Sequence, residues 1–122
     1  MQLSEASFGG LLPVDGYGPG FFRIGGAAVK GAVLMRGSDY VAWGGYDDTA
    51  TLVALAGDVD VLFIGTGADT AHLPRAFRAA LEEAGLAVEN MATPAAARTF
   101  NVLLSEGRRV AAALLPVGEA VE

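Results

Sequence analysis

The run Val61-Leu62-Phe63-Ile64, entered through Val59-Asp60 and closed by Gly65-Thr66-Gly67, constrains the fold more than any other stretch of the chain. Four consecutive apolar residues leave no polar face, so a strand built from them must be covered on both sides. The next segment supplies one cover. Residues 74–84 read as a helix with Phe77, Ala80, Leu81 and Ala84 turned inward and Arg75, Arg78, Glu82 and Glu83 turned outward. Arg78 and Glu82 stand four apart, the spacing that lets opposite charges pair on a helix. Gly85 stops this helix, and residues 86–89 read as a second strand. Strand, helix and strand in that order predict a right-handed parallel crossover.

The last third repeats the arrangement. Thr93 is placed to cap a helix, with Pro94 at its first position, where the missing N–H costs nothing. Gly107 ends that helix, residues 109–116 read as a strongly apolar strand, and residues 118–122 as a polar tail. The front half differs. Gly16-Tyr17-Gly18-Pro19-Gly20 is a turn, with proline pre-set for its second position and glycine free to take positive φ. Phe21-Phe22-Arg23-Ile24 follows as a strand closed by Gly25-Gly26. Residues 29–36 and 40–43 read as a hairpin about Gly37-Ser38-Asp39. Asp47-Asp48-Thr49 offers capping oxygens to a short helix over 49–56. No repeat or linker divides the chain, so one domain over residues 1–122 is expected, with an antiparallel front and a crossover back.

Composition removes several function classes. The net charge is −6, and Lys30 and seven arginines are spread along the chain. A nucleic-acid binder needs a clustered cationic footprint, and none is present in the sequence. The absence of cysteine excludes disulfides, thiolate catalysis and thiolate metal sites. No apolar run approaches the roughly 18 residues of a membrane span. Met1-Gln2-Leu3-Ser4-Glu5 carries an acid where a secretory signal carries a positive charge. A cytoplasmic protein without membrane insertion is the expectation.

Few residues are placed for chemistry. Arg98, Asn101 and Ser105 recur at three- and four-residue spacing, so they share a face of an otherwise apolar helix. A guanidinium receives carboxylate or phosphate, and an amide one turn on adds a directional hydrogen bond. The other reading of that stripe is a solvent face, or a brace for neighbouring loops such as Gly65-Thr66-Gly67. That glycine turn follows a core strand, where open α/β sheets place ligands. A dinucleotide fingerprint would need a third glycine where Thr70 stands, and a helix beginning before Pro74. A strand end that needs unusual backbone angles is the alternative. His72, the only histidine, has Asp69 as the only carboxylate in its loop, too little for a catalytic triad or a metal site. The pairs Asp47/Asp48 and Asp58/Asp60 read as a helix cap and a strand entry. Tyr17, Phe21, Phe22, Tyr40, Trp43 and Tyr46 crowd into the front half, where those left outside a core would suit a protein partner.

Three blocks together resemble one family. They are Gly16-Tyr17-Gly18-Pro19-Gly20-Phe21-Phe22-Arg23-Ile24; Leu62-Phe63-Ile64-Gly65-Thr66-Gly67; and Ala96-Ala97-Arg98-Thr99-Phe100-Asn101 followed by Glu106-Gly107-Arg108-Arg109-Val110-Ala111-Ala112-Ala113-Leu114. In this order they resemble the domain-of-unknown-function 498/598 family, which includes bacterial and archaeal single-domain proteins, the mitochondrial complex I assembly factor 3 and the adipogenesis-associated domain protein of animals. The resemblance implies a three-layer α/β domain: a central mixed, mostly parallel sheet with one strand reversed, flanking helices, and additional antiparallel strands from the N-terminal half. It implies no established enzymatic activity, cofactor or catalytic residue for the bacterial members. The family often carries an acid, a thiol and a phenol where this chain has Ala92, Ala97 and Phe100, while Arg98, Thr99 and Asn101 remain.

The leading expectation is therefore a non-enzymatic protein-binding or assembly-factor-like module, with no cofactor, metal or catalytic residue assigned. Tyr17, Phe21, Phe22 and Trp43 form its candidate partner surface. The alternative is a small-molecule or anion-binding domain, or an enzyme, that uses Gly65, Thr66 and Gly67 with Arg98, Thr99 and Asn101.

Overall fold

The computed structural model describes residues 10–118. Residues 1–5, read above for a signal, and residues 119–122 of the expected polar tail lie outside the described residues. In chain order come strands β1 (Gly16–Gly18), β2 (Phe21–Ile24), β3 (Ala27–Lys30), β4 (Val33–Met35) and β5 (Tyr40–Ala42), and a 3-10 turn (Gly45–Asp47). Helix α1 (Ala50–Val53), β6 (Val61–Gly65), α2 (Arg75–Glu83), β7 (Val88–Met91), α3 (Thr93–Ser105) and β8 (Val110–Leu114) follow.

The strands make two sheets, β1-β2-β3 and β5-β4-β8-β6-β7. In the larger one β8 and β7 both pair with β6 in parallel, while β4 pairs antiparallel with β8 and with β5. So β4 is the single strand that runs against the other four. The expected parallel crossover is β6-α2-β7, with Leu62 opposite Val88 and Gly65 opposite Met91.

Both faces of the larger sheet are covered. On one, Val33, Met35, Phe63, Ala112 and Leu114 lie in a core with Ala96, Ala97, Phe100 and Leu104 of α3 and with Phe22 and Ile24 of the small sheet. On the other, Leu34, Leu62, Ile64, Ala111 and Ala113 meet Leu52, Phe77, Leu81 and Trp43. Full burial of a side chain such as Phe77 or Leu81 contributes on the order of 1.5–3 kcal/mol. Central β8 is buried along its whole length, and its three alanines leave volume in both layers for larger residues such as Phe100 in one and Phe77 in the other. The result is three layers, as the family resemblance implies.

Several local expectations change. The strand expected over 29–36 is two strands in different sheets, because Gly31 takes φ +83° and turns the chain between Lys30 and Val33. The strand expected over 86–89 starts later. Leu86 belongs to the turn after α2, its N–H donating to the Leu81 carbonyl. Of the expected 49–56 helix only residues 50–53 are regular, while of the expected capping residues Asp47, Asp48 and Thr49 it is Asp48 that supplies the oxygens. Its carboxylate accepts from the Gly44 N–H (3.0 Å), the Thr51 N–H (3.2 Å) and the Thr51 hydroxyl (2.8 Å). Thr93 does not cap α3: Ala92 is the cap residue, and the Thr93 hydroxyl bonds elsewhere.

Two predictions follow from this packing. A Cβ at Gly65 would stand 2.7 Å from Thr93 Oγ1 and 2.9 Å from Leu114 Cδ2, closer than real contacts allow. Gly65→Ala is expected to cost about 1–3 kcal/mol in urea unfolding, as overpacked cores do; an unchanged midpoint would contradict the close approach. The Gly44 and Thr51 hydrogen bonds lower the Asp48 pKa below its ordinary value of 3.8. Because the folded pKa is depressed, the stabilisation is present above the unfolded value and is lost as pH falls through the folded one. Thermal unfolding should therefore separate wild type from Asp48→Ala at pH 7, with a gap that narrows once pH drops below about 4.

Candidate functional site

The Gly65-Thr66-Gly67 turn sits at the carboxyl end of β6, where α3 begins and β8 ends. Gly67 takes φ +99°, so glycine is required there by backbone geometry. Its N–H donates to Thr93 Oγ1 (2.9 Å) and its carbonyl accepts from the Thr93 N–H (2.8 Å). The Thr93 hydroxyl donates onward to the Leu115 carbonyl (2.7 Å), and the Leu115 N–H returns to the Gly65 carbonyl (3.0 Å). The Thr66 N–H donates to the Met91 carbonyl at 2.9 Å. Anion cradles need backbone N–H groups aimed at the ligand. Here the N–H groups of Thr66 and Gly67 are aimed at protein oxygens.

The loop that follows is tied to the same edge. Thr66 Oγ1 donates to the Asp69 carbonyl (2.6 Å) and accepts from the Ala71 N–H (3.2 Å). The Thr70 hydroxyl accepts from the Ala92 N–H (3.1 Å), and Asn90 Nδ2 donates to the Ala71 carbonyl (2.7 Å). Arg78 holds that amide in place, donating to Asn90 Oδ1 at 2.7 Å and to Glu82 at 3.1 Å. The sequence reading marks Thr93 only as a cap and Thr70 only as the residue in place of a third glycine, and it does not mark Asn90. Asn90 in a strand and threonine in a glycine-rich loop were the available signals. His72 and Asp69 lie exposed on this loop.

The stripe on α3 divides. Asn101 is a brace: its Oδ1 accepts from the Val14 N–H (2.9 Å) and its Nδ2 donates to the Val14 carbonyl (2.8 Å). It thereby imitates a strand partner for the segment leading into β1. Thr99 donates to Met91 Sδ at 3.8 Å. Ser105 bonds back to the Val102 carbonyl of its own helix (2.7 Å). Arg98 is exposed and makes no ion pair among the described residues. At a rise of about 1.5 Å per residue it stands roughly 7–8 Å along the axis from Thr93. A groove of about 290 Å³ lies at the opposite end of α3, and none of the residues assigned above to a ligand or partner site lines it.

The front-half aromatics divide too. Phe22 is fully buried and Trp43 is 4 % exposed, so both belong to the core and neither offers a partner surface in this fold. Phe22 points inward because strand alternation puts it with Ile24, while Phe21 and Arg23 share the outer face. Trp43 packs near Tyr46 and Phe77 and donates its Nε1–H to the Asp48 carbonyl (3.0 Å). Tyr17 is 47 % exposed, and half-buried Phe21 lies over Gly18 with the Arg23 guanidinium 5.9 Å from its ring centre. Asp58 and Asp60 precede β6, and Asp60 pairs with Arg109 at 2.8 Å.

These placements predict a contrast between neighbours on one helix. Asn101→Ala leaves the Val14 N–H and carbonyl without their partner and is expected to cost about 1–3 kcal/mol. Arg98→Ala is expected to stay within about 0.5 kcal/mol of wild type. Urea unfolding of the two variants checks this, and equal costs would contradict it.

Comparison with known proteins supplies the family. Residues 14–115 match the protein family of unknown function DUF498/DUF598. An uncharacterized protein of Rhodobacter capsulatus is 56% identical over 121 residues, covering 99% of this chain and 98% of that protein. The NADH dehydrogenase [ubiquinone] 1 alpha subcomplex assembly factor 3 of Danio rerio is 36% identical over 119 residues, 92% of this chain and 67% of its own length. The human protein of the same name is 33% identical over 110 residues, covering 84% of this chain and 60% of its own length. Among solved structures, an outer membrane protein from Bartonella henselae is similar with a TM-score of 0.78 at 36% identity, over 88% of this chain and 97% of that one. The Mth938-like domain of a Bordetella pertussis protein gives 0.73 at 28% identity, over 94% and 90%. On the match to residues 14–115, the chain belongs to the DUF498/DUF598 family.

Proposed function

We propose that the chain is a non-enzymatic protein-binding module of the cytoplasm that acts as an assembly factor, helping a membrane respiratory complex of the NADH dehydrogenase type to mature. One observation carries this reading. Nearly the whole chain, 92% of it, aligns with about two thirds of a protein named as an assembly factor for that complex. Within the fold, Gly65, Thr66, Gly67 and Asn101 serve as braces; of the predicted partner surface Tyr17 and half-buried Phe21 are left outside the core, and Arg98 is exposed as well. The alternative, an anion held between the glycine turn and Arg98, loses support because the Thr66 and Gly67 N–H groups are already engaged.

The test is affinity capture of the tagged chain from native lysate after mild cross-linking, read by mass spectrometry against a tag-only control. Reproducible enrichment of subunits of a respiratory complex is the expected outcome. Failure to enrich any protein across replicates would overturn the reading.

A further inference from the structure

The sheet edges of this fold are not equally protected. A free edge presents unpaired backbone N–H and C=O groups, and native proteins cover or charge such edges. In the larger sheet the loop after β6 lies against the β7 edge. There the Ala92 N–H donates to the Thr70 hydroxyl (3.1 Å), and Asn90 Nδ2 donates to the Ala71 carbonyl (2.7 Å). In the small sheet the β3 edge ends on exposed Lys30, and Asn101 occupies the segment leading into β1. The β5 edge, Tyr40-Val41-Ala42, carries no charged side chain, and its outer groups meet no backbone partner among the described residues.

The register of β5 on β4 fixes which groups those are. Leu34 lies opposite Val41. The Arg36 N–H donates to the Asp39 carbonyl (2.9 Å) and the Trp43 N–H to the Ala32 carbonyl (3.0 Å), so Asp39 and Trp43 turn toward β4. Antiparallel ladders alternate, so Val41 turns the same way, and the N–H and C=O of Tyr40 and of Ala42 turn outward. That edge is its own complement. A two-fold axis at Val41 sets each Tyr40 opposite the partner's Ala42, and each such pair exchanges two N–H to C=O bonds. The two Val41 residues then form a close pair, with Cα atoms about 4.5 Å apart. Val41 is half-buried against the layer of Leu34, Leu62 and Trp43, so this contact carries that core across the axis. On the other face Tyr40, 36 % exposed, comes beside the partner's Ala42, whose small side chain leaves room for the ring.

Charge complementarity favours the same pairing. In this register the hairpin end, where Arg36 and Asp39 form a neutral pair at 2.7 Å, lies beside the end that carries Asp47 and Asp48. A parallel pairing would instead set those two acids beside the same two acids of the second copy.

We propose that the chain forms a two-fold dimer through its β5 edges, joining two five-stranded sheets into one. With the β7 edges covered, pairing stops at two copies. A three-residue edge makes a small interface, below about 1,200 Å² in total, so the dimer exchanges with monomer. The inference goes beyond the protein-binding reading and does not rest on it, so a failed capture experiment leaves it standing.

The test is sedimentation equilibrium of the full chain from about 10 μM to about 1 mM, with amide hydrogen exchange followed over the same range. A monomer–dimer equilibrium is expected. Exchange at Tyr40 and Ala42 should slow as concentration rises, while Val41, already bonded to β4, stays unchanged. A filtered NOE between labelled and unlabelled copies should link Val41 Hα to Val41 Hα. Ala42→Pro removes an N–H that the monomer leaves to solvent, a change edge strands tolerate, and should weaken the dimer about tenfold or more. Val41→Lys, which brings two ammonium groups to the axis, should do the same and is the second variant should proline disturb the strand. A monomer at every concentration, species larger than a dimer, or a dimer unaffected by both variants would each overturn the proposal. So would Tyr40 and Ala42 amides equally protected in the dilute monomer, since a segment of the same chain would then occupy the edge.

Discussion

The close seat of α3 on the end of the large sheet depends on one hydroxyl. Thr93 is wholly buried, and its Oγ1 takes a hydrogen bond from Gly67 while giving one to Leu115. A buried hydroxyl without partners costs several kcal/mol in an apolar surrounding, so its two bonds are needed for the position to exist at all. They also hold together the three segments that meet there: the turn after β6, the start of α3 and the chain leaving β8. Gly65 completes the seat by having no side chain where Thr93 and Leu114 come to rest. Without that approach, Ala96, Ala97 and Phe100 would not reach the layer they share with Phe63 and Leu114.

This seat also explains what could and could not be read from the sequence. The continuous apolar run at residues 61–64 announces a strand covered on both faces, and the two cores either side of it are what that requires. The crossover through α2 follows from local signals as well: a helix period, a glycine stop and a second strand. Thr93 before Pro94 has the local pattern of a cap, but capping competes with any better partner. Gly67 and Leu115, brought in by tertiary structure, are better partners here. Asn101 was visible as a polar residue on an apolar helix. Its partner Val14 stands 87 residues away, beyond the reach of helical spacing. The break at Gly31 is equally hidden, since strand propensity on both sides is high and neither the positive φ of Gly31 nor the pairing of β3 with β2 is written in the local pattern.

Ala92, Ala97 and Phe100 stand where the family resemblance implies an acid, a thiol and a phenol, and the fold shows what those positions do in this chain. Ala97 is 6 % exposed and Phe100 is fully buried, so both lie on the face of α3 that packs against the sheet. Ala92 is the cap residue of α3, and its own N–H goes to Thr70. An acid at that position would be placed to accept from first-turn N–H groups, which is the ordinary work of a capping carboxylate. Cap and core roles account for all three positions in physical terms. The retained Arg98 differs, because exposure leaves its guanidinium to solvent or to a partner.

The two ends of α3 then have opposite characters, and the contrast bears on recognition. At the Thr93 end, polar groups are bonded to one another and, among the described residues, no buried side-chain nitrogen or oxygen lacks a partner. A ligand arriving there would have to replace bonds that already hold the fold together. At the Gly107 end, the Arg36–Asp39 and Arg109–Asp60 pairs are exposed and Arg108 lies in water. A substitution at this end disturbs only water-exposed pairs, so it leaves the seat of the helix untouched.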